Sequence, residues 1–293
     1  MTLELRFRKA ARLPPKVVAN PLAGLALPGD ETALRQLYGD AVARLQTSAR
    51  GEAVARLLGL DQVNLVVAGL DWAGWAQTLA NAQNLYSKQI AAGALGSIAE
   101  VAPGLLVLVD HAFPKAVDLA QKEAAQMVSG LTDTSRAAVV DTLTAALKGG
   151  MSVDDTAGLL ADVVGLNPRQ GDALLRFERL QRAKGLTGGQ LGSVVGRYRD
   201  ALINDRANMI AVTEMSRAAN MGRFQGYLEA AARGSIDAAT VQKAVIVAPN
   251  CCTYCESMQI GEGLDGSFDP NDPSVLYPPF HPRCRCSFRI ISG

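Results

Sequence analysis

From Glu31 onward, apolar residues return at three- and four-residue steps. Leu34, Leu37, Tyr38, Val42 and Leu45 fall on one helical face, and the pattern continues to about Gln89. Trp72, Trp75 and Leu79 share a face of a later helix, which makes the two indoles core anchors. Between Phe113 and Tyr227 each stripe carries its own punctuation. Gly149-Gly150 ends one helix, and Ser152 with Asp155 supplies an N-cap and an acidic first turn for the next. Asn167-Pro168 gives a cap and a first-turn proline ahead of Leu174, Phe177 and Leu180. Thr187 and Gln190 stand at capping-box spacing before Leu191, Val194, Tyr198 and Leu202. A last long helix is expected from about Asp205 to Ala232, with Ile210, Thr213, Arg217 and Met221 close together on its surface and Gly234 as its stop.

The period changes after Gly234. Residues 243–248 read as a short strand rich in β-branched residues, 261–279 as a long loop full of Gly, Asp and Pro, and Ser287 to Ile291 as a closing strand. The expected fold is therefore mainly α: an extended helical body followed by a small C-terminal α+β unit. It divides into an irregular, basic, Pro-containing arm (1–30), an N-terminal helical region (31–112), a second helical body (113–234) and the C-terminal unit (235–293). A unit so small and loop-rich needs a staple, or a neighbour to lean on.

Composition narrows the class. Hydrophobic residues make up 48% of the 293 and aromatics only 5%, which favours small-residue helix packing over an aromatic-rich β-sandwich. Lys+Arg 29 against Asp+Glu 28 leaves a net charge of +1, where a protein that coats nucleic acid would carry a larger excess. The basic start, Leu5 to Arg12, is followed by Pro14, Pro15, Pro21 and Pro28 rather than the unbroken apolar stretch of a signal peptide. Glu100, Pro103 and three glycines interrupt the apolar stretch Ala91–Val109, so a buried strand or helix is expected there and no membrane contact.

The first 250 residues contain no cysteine, and all five fall between Cys251 and Cys286. An odd, clustered set fits metal binding better than a disulfide framework. Cys252-x-x-Cys255 lets two thiolates converge on one ion, and His281-x-x-Cys284 does so from the other side; together they form the soft nitrogen and sulfur set that zinc prefers. Cys251 and Cys252 are adjacent and point apart, and the spacing selects Cys252. The ligand set read from these residues is Cys252, Cys255, His281 and Cys284. Cys286 is the main substitute, above all for His281, because Cys284 and Cys286 share one side of a strand. Arg283 and Arg285 flank the ligands and are expected to stabilise the anionic zinc–thiolate cluster. A closed ligand set implies a structural ion.

The enzyme classes tested fail on their residues. Neither His111 nor His281 is followed by the glutamate that a zinc deaminase or an H-E-x-x-H protease requires, and there is no phosphate-binding G-x-x-x-x-G-K-[ST] loop. Asp265, Asp269 and Asp272 lack the spacing of a calcium loop. No catalytic residue and no small-molecule substrate is expected.

Two blocks carry a resemblance. The C-terminal pattern Cys252-x-x-Cys255 followed by Pro278-Pro279-Phe280-His281-Pro282-Arg283-Cys284-Arg285-Cys286 is similar to the signature of the phage Mu F-like minor head protein family. So is the upstream helix from Ile210 to Gly222, with its Thr213-Glu214 pair and Asn220. The resemblance covers roughly residues 115–290, and Val212 stands where many members have Arg. It implies a minor capsid, or head-morphogenesis, protein of a tailed phage. Such a protein sits in the virion head near the portal vertex, is assembled in the host cytoplasm, and acts in head assembly, genome packaging or ejection. Its implied partners are the portal protein and the major capsid protein, with transient contact to genome DNA. Thr213, Glu214 and Asn220 would then form a buried hydrogen-bond network between the last helix and the zinc unit. The alternative is a zinc-stabilised nucleic-acid-binding module, in which Arg283, Arg285 and Arg289, aided by Arg6, Arg8, Lys9, Arg12 and Lys16, contact phosphates.

Overall fold

The computed structural model describes residues 27–49, 52–102, 114–249 and 251–291. Within them lie α1 (Leu27–Ser48), α2 (Glu52–Gly59), α3 (Val63–Ala68), α4 (Trp72–Ala80), α5 (Ala82–Val101), α6 (Pro114–Lys148), α7 (Val153–Val163), α8 (Pro168–Ala183) and α9 (Gly188–Ala232). The C-terminal unit adds β1 (Gln242–Ile246), α10 (Thr253–Ser257), β2 (Gly261–Glu262) and β3 (Ser287–Ile291). The chain is mainly α, with a small antiparallel sheet at its C-terminal end in the order β2-β1-β3. Val245 of β1 stands opposite Phe288 of β3. The basic arm, except for its last four residues, and the segment with His111 and Leu105–Val109 lie outside the described residues. Among the described residues, no helix is long and apolar enough to cross a membrane.

Two of the predicted caps form. Ser152 accepts the Asp155 N–H, and Asn167 with Gln170 makes a full capping box. Elsewhere the elements differ from expectation. The first described helix begins at Leu27, ahead of Glu31. The stretch after Thr187 and the last long helix are one 45-residue rod, α9, about 68 Å long at 1.5 Å per residue. No glycine or proline stands between Leu202 and Asp205 to break it. Thr187 occupies the N-cap without a side-chain bond. Gly261 and Glu262, read as loop, pair with Lys243 and Gln242, a bridge too short to leave a periodic signal.

One apolar core runs through the helices of both halves, from Leu34 and Tyr38 of α1 through Trp75 and Leu79 of α4 to Met215 and Ala219 of α9. Trp75 is fully buried, edge-on to Tyr38 at 5.6 Å and to Trp72 at 6.2 Å, and its indole N–H donates to Thr132. The closest helix crossing is α5 against α9, where small residues let the backbones touch. A Cβ on Gly222 would lie 2.1 Å from the Ile90 carbonyl oxygen, and one on Gly93 2.1 Å from that of Ala219. Beyond the crossing, Arg223 of α9 pairs with Glu100 of α5 at 2.6 Å and donates from Nε to the Phe288 carbonyl of β3 at 3.0 Å. The sheet is thereby seated on the C-terminal ends of α5 and α9.

The C-terminal unit has an apolar heart of its own. Phe268 and Phe288 pack with Leu264 against Phe224 and Tyr227 of α9. Within it Lys243 is fully buried, its Nζ donating to the carbonyls of Leu264 (2.7 Å) and Leu276 (3.0 Å) and lying 5.1 Å from the Phe268 ring centroid. Burial pulls the ammonium down from the ordinary 10.5 to about 8. The folded unit therefore holds this proton less tightly than the unfolded chain does. The penalty is full below pH 8 and is relieved as the pH rises toward 10.5. The urea midpoint of the unit is expected to climb across that window, and Lys243→Met should flatten the climb. An equal slope in both proteins would refute the assignment.

Candidate metal centre

The first pair of cysteines is set by a short helix. After β1 the chain turns, with the Cys251 N–H bonded to the Ala248 carbonyl at 3.1 Å, and α10 begins with Cys252 as its N-cap. The Cys252 thiol is shifted toward thiolate, chiefly by the Cys255 backbone N–H aimed at it. The second group is set by a tight turn. The Cys284 N–H bonds the His281 carbonyl at 3.1 Å, and Arg283 takes a left-handed φ of 64° inside the turn. From there to β3 the side chains alternate: Cys284 and Cys286 are buried, while Arg283, Arg285 and Arg289 are exposed.

Donor atoms converge from both sides. The His281 Nε2 lies 3.3 Å from the Cys252 sulfur and 3.1 Å from that of Cys255. The Cys255 and Cys284 sulfurs are 3.7 Å apart. Sulfurs bound to one tetrahedral zinc at about 2.3 Å would sit roughly 3.8 Å apart, whereas a disulfide would need about 2.05 Å. None of the five cysteines is in a disulfide. His281 Nδ1 is 2.7 Å from the Pro282 carbonyl, which keeps a proton on Nδ1 and turns the Nε2 lone pair toward the sulfurs. Cys284 is pulled toward thiolate by hydrogen bonds from Cys255 and Cys286, and Cys255, as donor to both of the others, is pushed the opposite way. Such crowded soft donors suit a metal ion, which would take them all as thiolates.

The donors form two groups, Cys252–Cys255–His281 and Cys255–Cys284–Cys286, each with its ligand atoms within 4.8 Å of one another. Cys255 belongs to both. The first group is half open to solvent and the second is buried. Among the described residues no aspartate joins a ligand group; Asp272 instead caps Ser274.

The helix block and the cysteine block meet. Thr213 Oγ1 accepts the Arg283 N–H at 2.9 Å. Asn220 is fully buried, donates to the Cys286 carbonyl at 3.1 Å, and accepts from Ser287 Oγ at 2.7 Å. Glu214 faces elsewhere: it accepts from Tyr86 of α5 at 2.6 Å and from Arg217 at 3.1 Å, so it braces helix on helix and does not reach the cysteines. The arginines also differ from expectation. Arg283 pairs with Asp205 of α9, and Arg285 grips Glu31 of α1 through two bonds of 2.6 and 2.8 Å. The turn at Arg283 and the alternation of the segment leading into β3 point both away from the sulfurs, and carboxylates on the helical body take the place of thiolates. Ser287, Asp205, Glu31 and Lys243 were not singled out from the sequence. Ser287 and Lys243 sit beside the motifs without a type-specific signal, and Glu31 is 254 positions from its partner.

Asn220→Ala would leave the Cys286 carbonyl and the Ser287 hydroxyl without this partner. A loss of about 1–3 kcal/mol is expected in denaturant unfolding, with faster hydrogen exchange along β3. Unchanged β3 exchange would mean the bond holds nothing in place.

Compared with family models, curated proteins and solved structures, the chain matches none.

Proposed function

We propose that this chain is a structural minor head protein of a tailed phage, located near the portal vertex and bound to portal and major capsid proteins, with a structural zinc centre drawn from Cys252, Cys255, His281, Cys284 and Cys286. The resemblance of two sequence blocks is its starting point. The observation that carries it is that these two blocks, 30 residues or more apart in the chain, are joined through Thr213–Arg283 and Asn220–Cys286. A shared motif pair that closes on itself fits a rigid building block. Nothing in this reading asks Thr213, Glu214 or Asn220 to act on a substrate. The nucleic-acid module is the weaker reading, because two of its three C-terminal arginines, Arg283 and Arg285, already hold Asp205 and Glu31.

The test is made on assembled particles. Electron cryomicroscopy of the portal vertex, with mass spectrometry of purified virions, should find the chain there, and the isolated protein should not be retained on DNA at physiological salt. Absence from particles would overturn the reading. Salt-dependent DNA retention would move it to the nucleic-acid module.

A further inference from the structure

We infer that the cysteine cluster is a two-ion centre, with Cys255 as a thiolate bridging a half-open zinc held with Cys252 and His281 and a buried zinc held with Cys284 and Cys286. This rests on the zinc reading above and deepens it. One tetrahedral ion needs four donors within roughly 3.8 Å of each other. Here two groups of three close separately, and they share one sulfur. A single ion also leaves a donor over. If it sat in the half-open group, Cys284 and Cys286, each 1% exposed, would be left as a buried pair with no ion between them.

Charge points the same way. One Zn²⁺ with three thiolates and a neutral imidazole carries a formal −1, and with four thiolates −2, while the two arginines beside them are engaged by Asp205 and Glu31. Four thiolates and the imidazole around two Zn²⁺ sum to zero, which is the cheaper state for a cluster whose inner half is buried. On loading, each thiol that still holds its proton releases it to solvent. Each ion then lacks one ligand. Water can fill the position on the open side. On the buried side Cys251 packs against the cysteine cluster, and its sulfur lies 3.7 Å from the Glu256 carboxylate.

The experiment counts ions. The full chain, stripped of metal under reducing conditions, is titrated with Zn²⁺ in the presence of a weak competing chelator and examined by native mass spectrometry. Saturation at two zinc ions per chain is expected. Loading with ¹¹³Cd²⁺ should give two resonances coupled to each other through the shared sulfur. Saturation at one zinc would overturn the two-ion centre and leave the structural zinc reading standing. No bound zinc would overturn both. Two uncoupled cadmium signals would overturn the bridge.

Discussion

Cys255→Ser is expected to unfold the C-terminal unit while leaving the helical body intact. The side chain is 1% exposed, belongs to both ligand groups and lies within 3.7 Å of the Cys284 sulfur and 3.1 Å of His281 Nε2. A serine oxygen is a poor replacement for a thiolate at a soft-metal site. Structural zinc is worth about 10–16 kcal/mol of apparent binding energy in small domains, far more than the stability such a unit can draw from its own core. Chelation of the wild-type protein should reproduce the effect. The measurement is hydrogen exchange by residue: protection should be lost over 242–291 and retained in α1, α4 and the first half of α9. A variant that keeps both its zinc and its β3 protection would remove Cys255 from the ligand set. Cys252→Ser, at the exposed edge, should cost less, because one donor there can be replaced by water.

The second large effect is expected at Gly222. Its missing side chain is what allows α9 to lie on α5: an added Cβ would fall 2.1 Å from the Ile90 carbonyl oxygen and 2.8 Å from the Ile90 Cα. The obstacle is backbone, so no rotamer change relieves it, and the two helices must part. Overpacking costs about 1–3 kcal/mol where side chains can give way. Gly222→Val should exceed that range and also loosen the Asn220–Cys286 and Arg223–Phe288 links, which lie on the same stretch of α9. Urea unfolding would show it as a lowered midpoint. Gly192→Val, where nothing lies within 4 Å of the added Cβ, is the control and should be close to neutral, because valine is no poorer a helix former than the glycine it replaces. Equal losses in the two variants would refute the close-approach argument.

These cases mark how far the sequence could be read. Local rules worked where the cause was local. Ser152 and Asn167 cap their helices because the acceptor and the free N–H groups lie three residues apart. The C-x-x-C and H-x-x-C spacings brought their donors together because a helix start and a tight turn are both short-range structures. Partner choice was not legible. Arg283 and Arg285 stand beside cysteines in the chain, yet they face Asp205 and Glu31, since in the turn and the extended segment that follows it successive side chains point to opposite sides. Glu214 is one residue from Thr213, and in a helix that single step turns it toward α5. Lys243 opens what looked like an ordinary strand. Its burial follows from aromatic residues at 224 and 268, which no periodicity links to it. The unit also leans on α9 through those same aromatics, so an apolar heart would share the task of holding it with any ion the cysteines bind.

The bidentate pair between Glu31 and Arg285 joins positions 254 apart. During synthesis, the carboxylate at the start of α1 waits, hydrated, through the production of every helix that will pack on it, and its guanidinium emerges only with the closing strand. Loop closure over such a span adds entropy cost slowly with length, but it cannot precede translation. Whatever folding the body achieves before Arg285 is synthesised therefore proceeds with this clasp open.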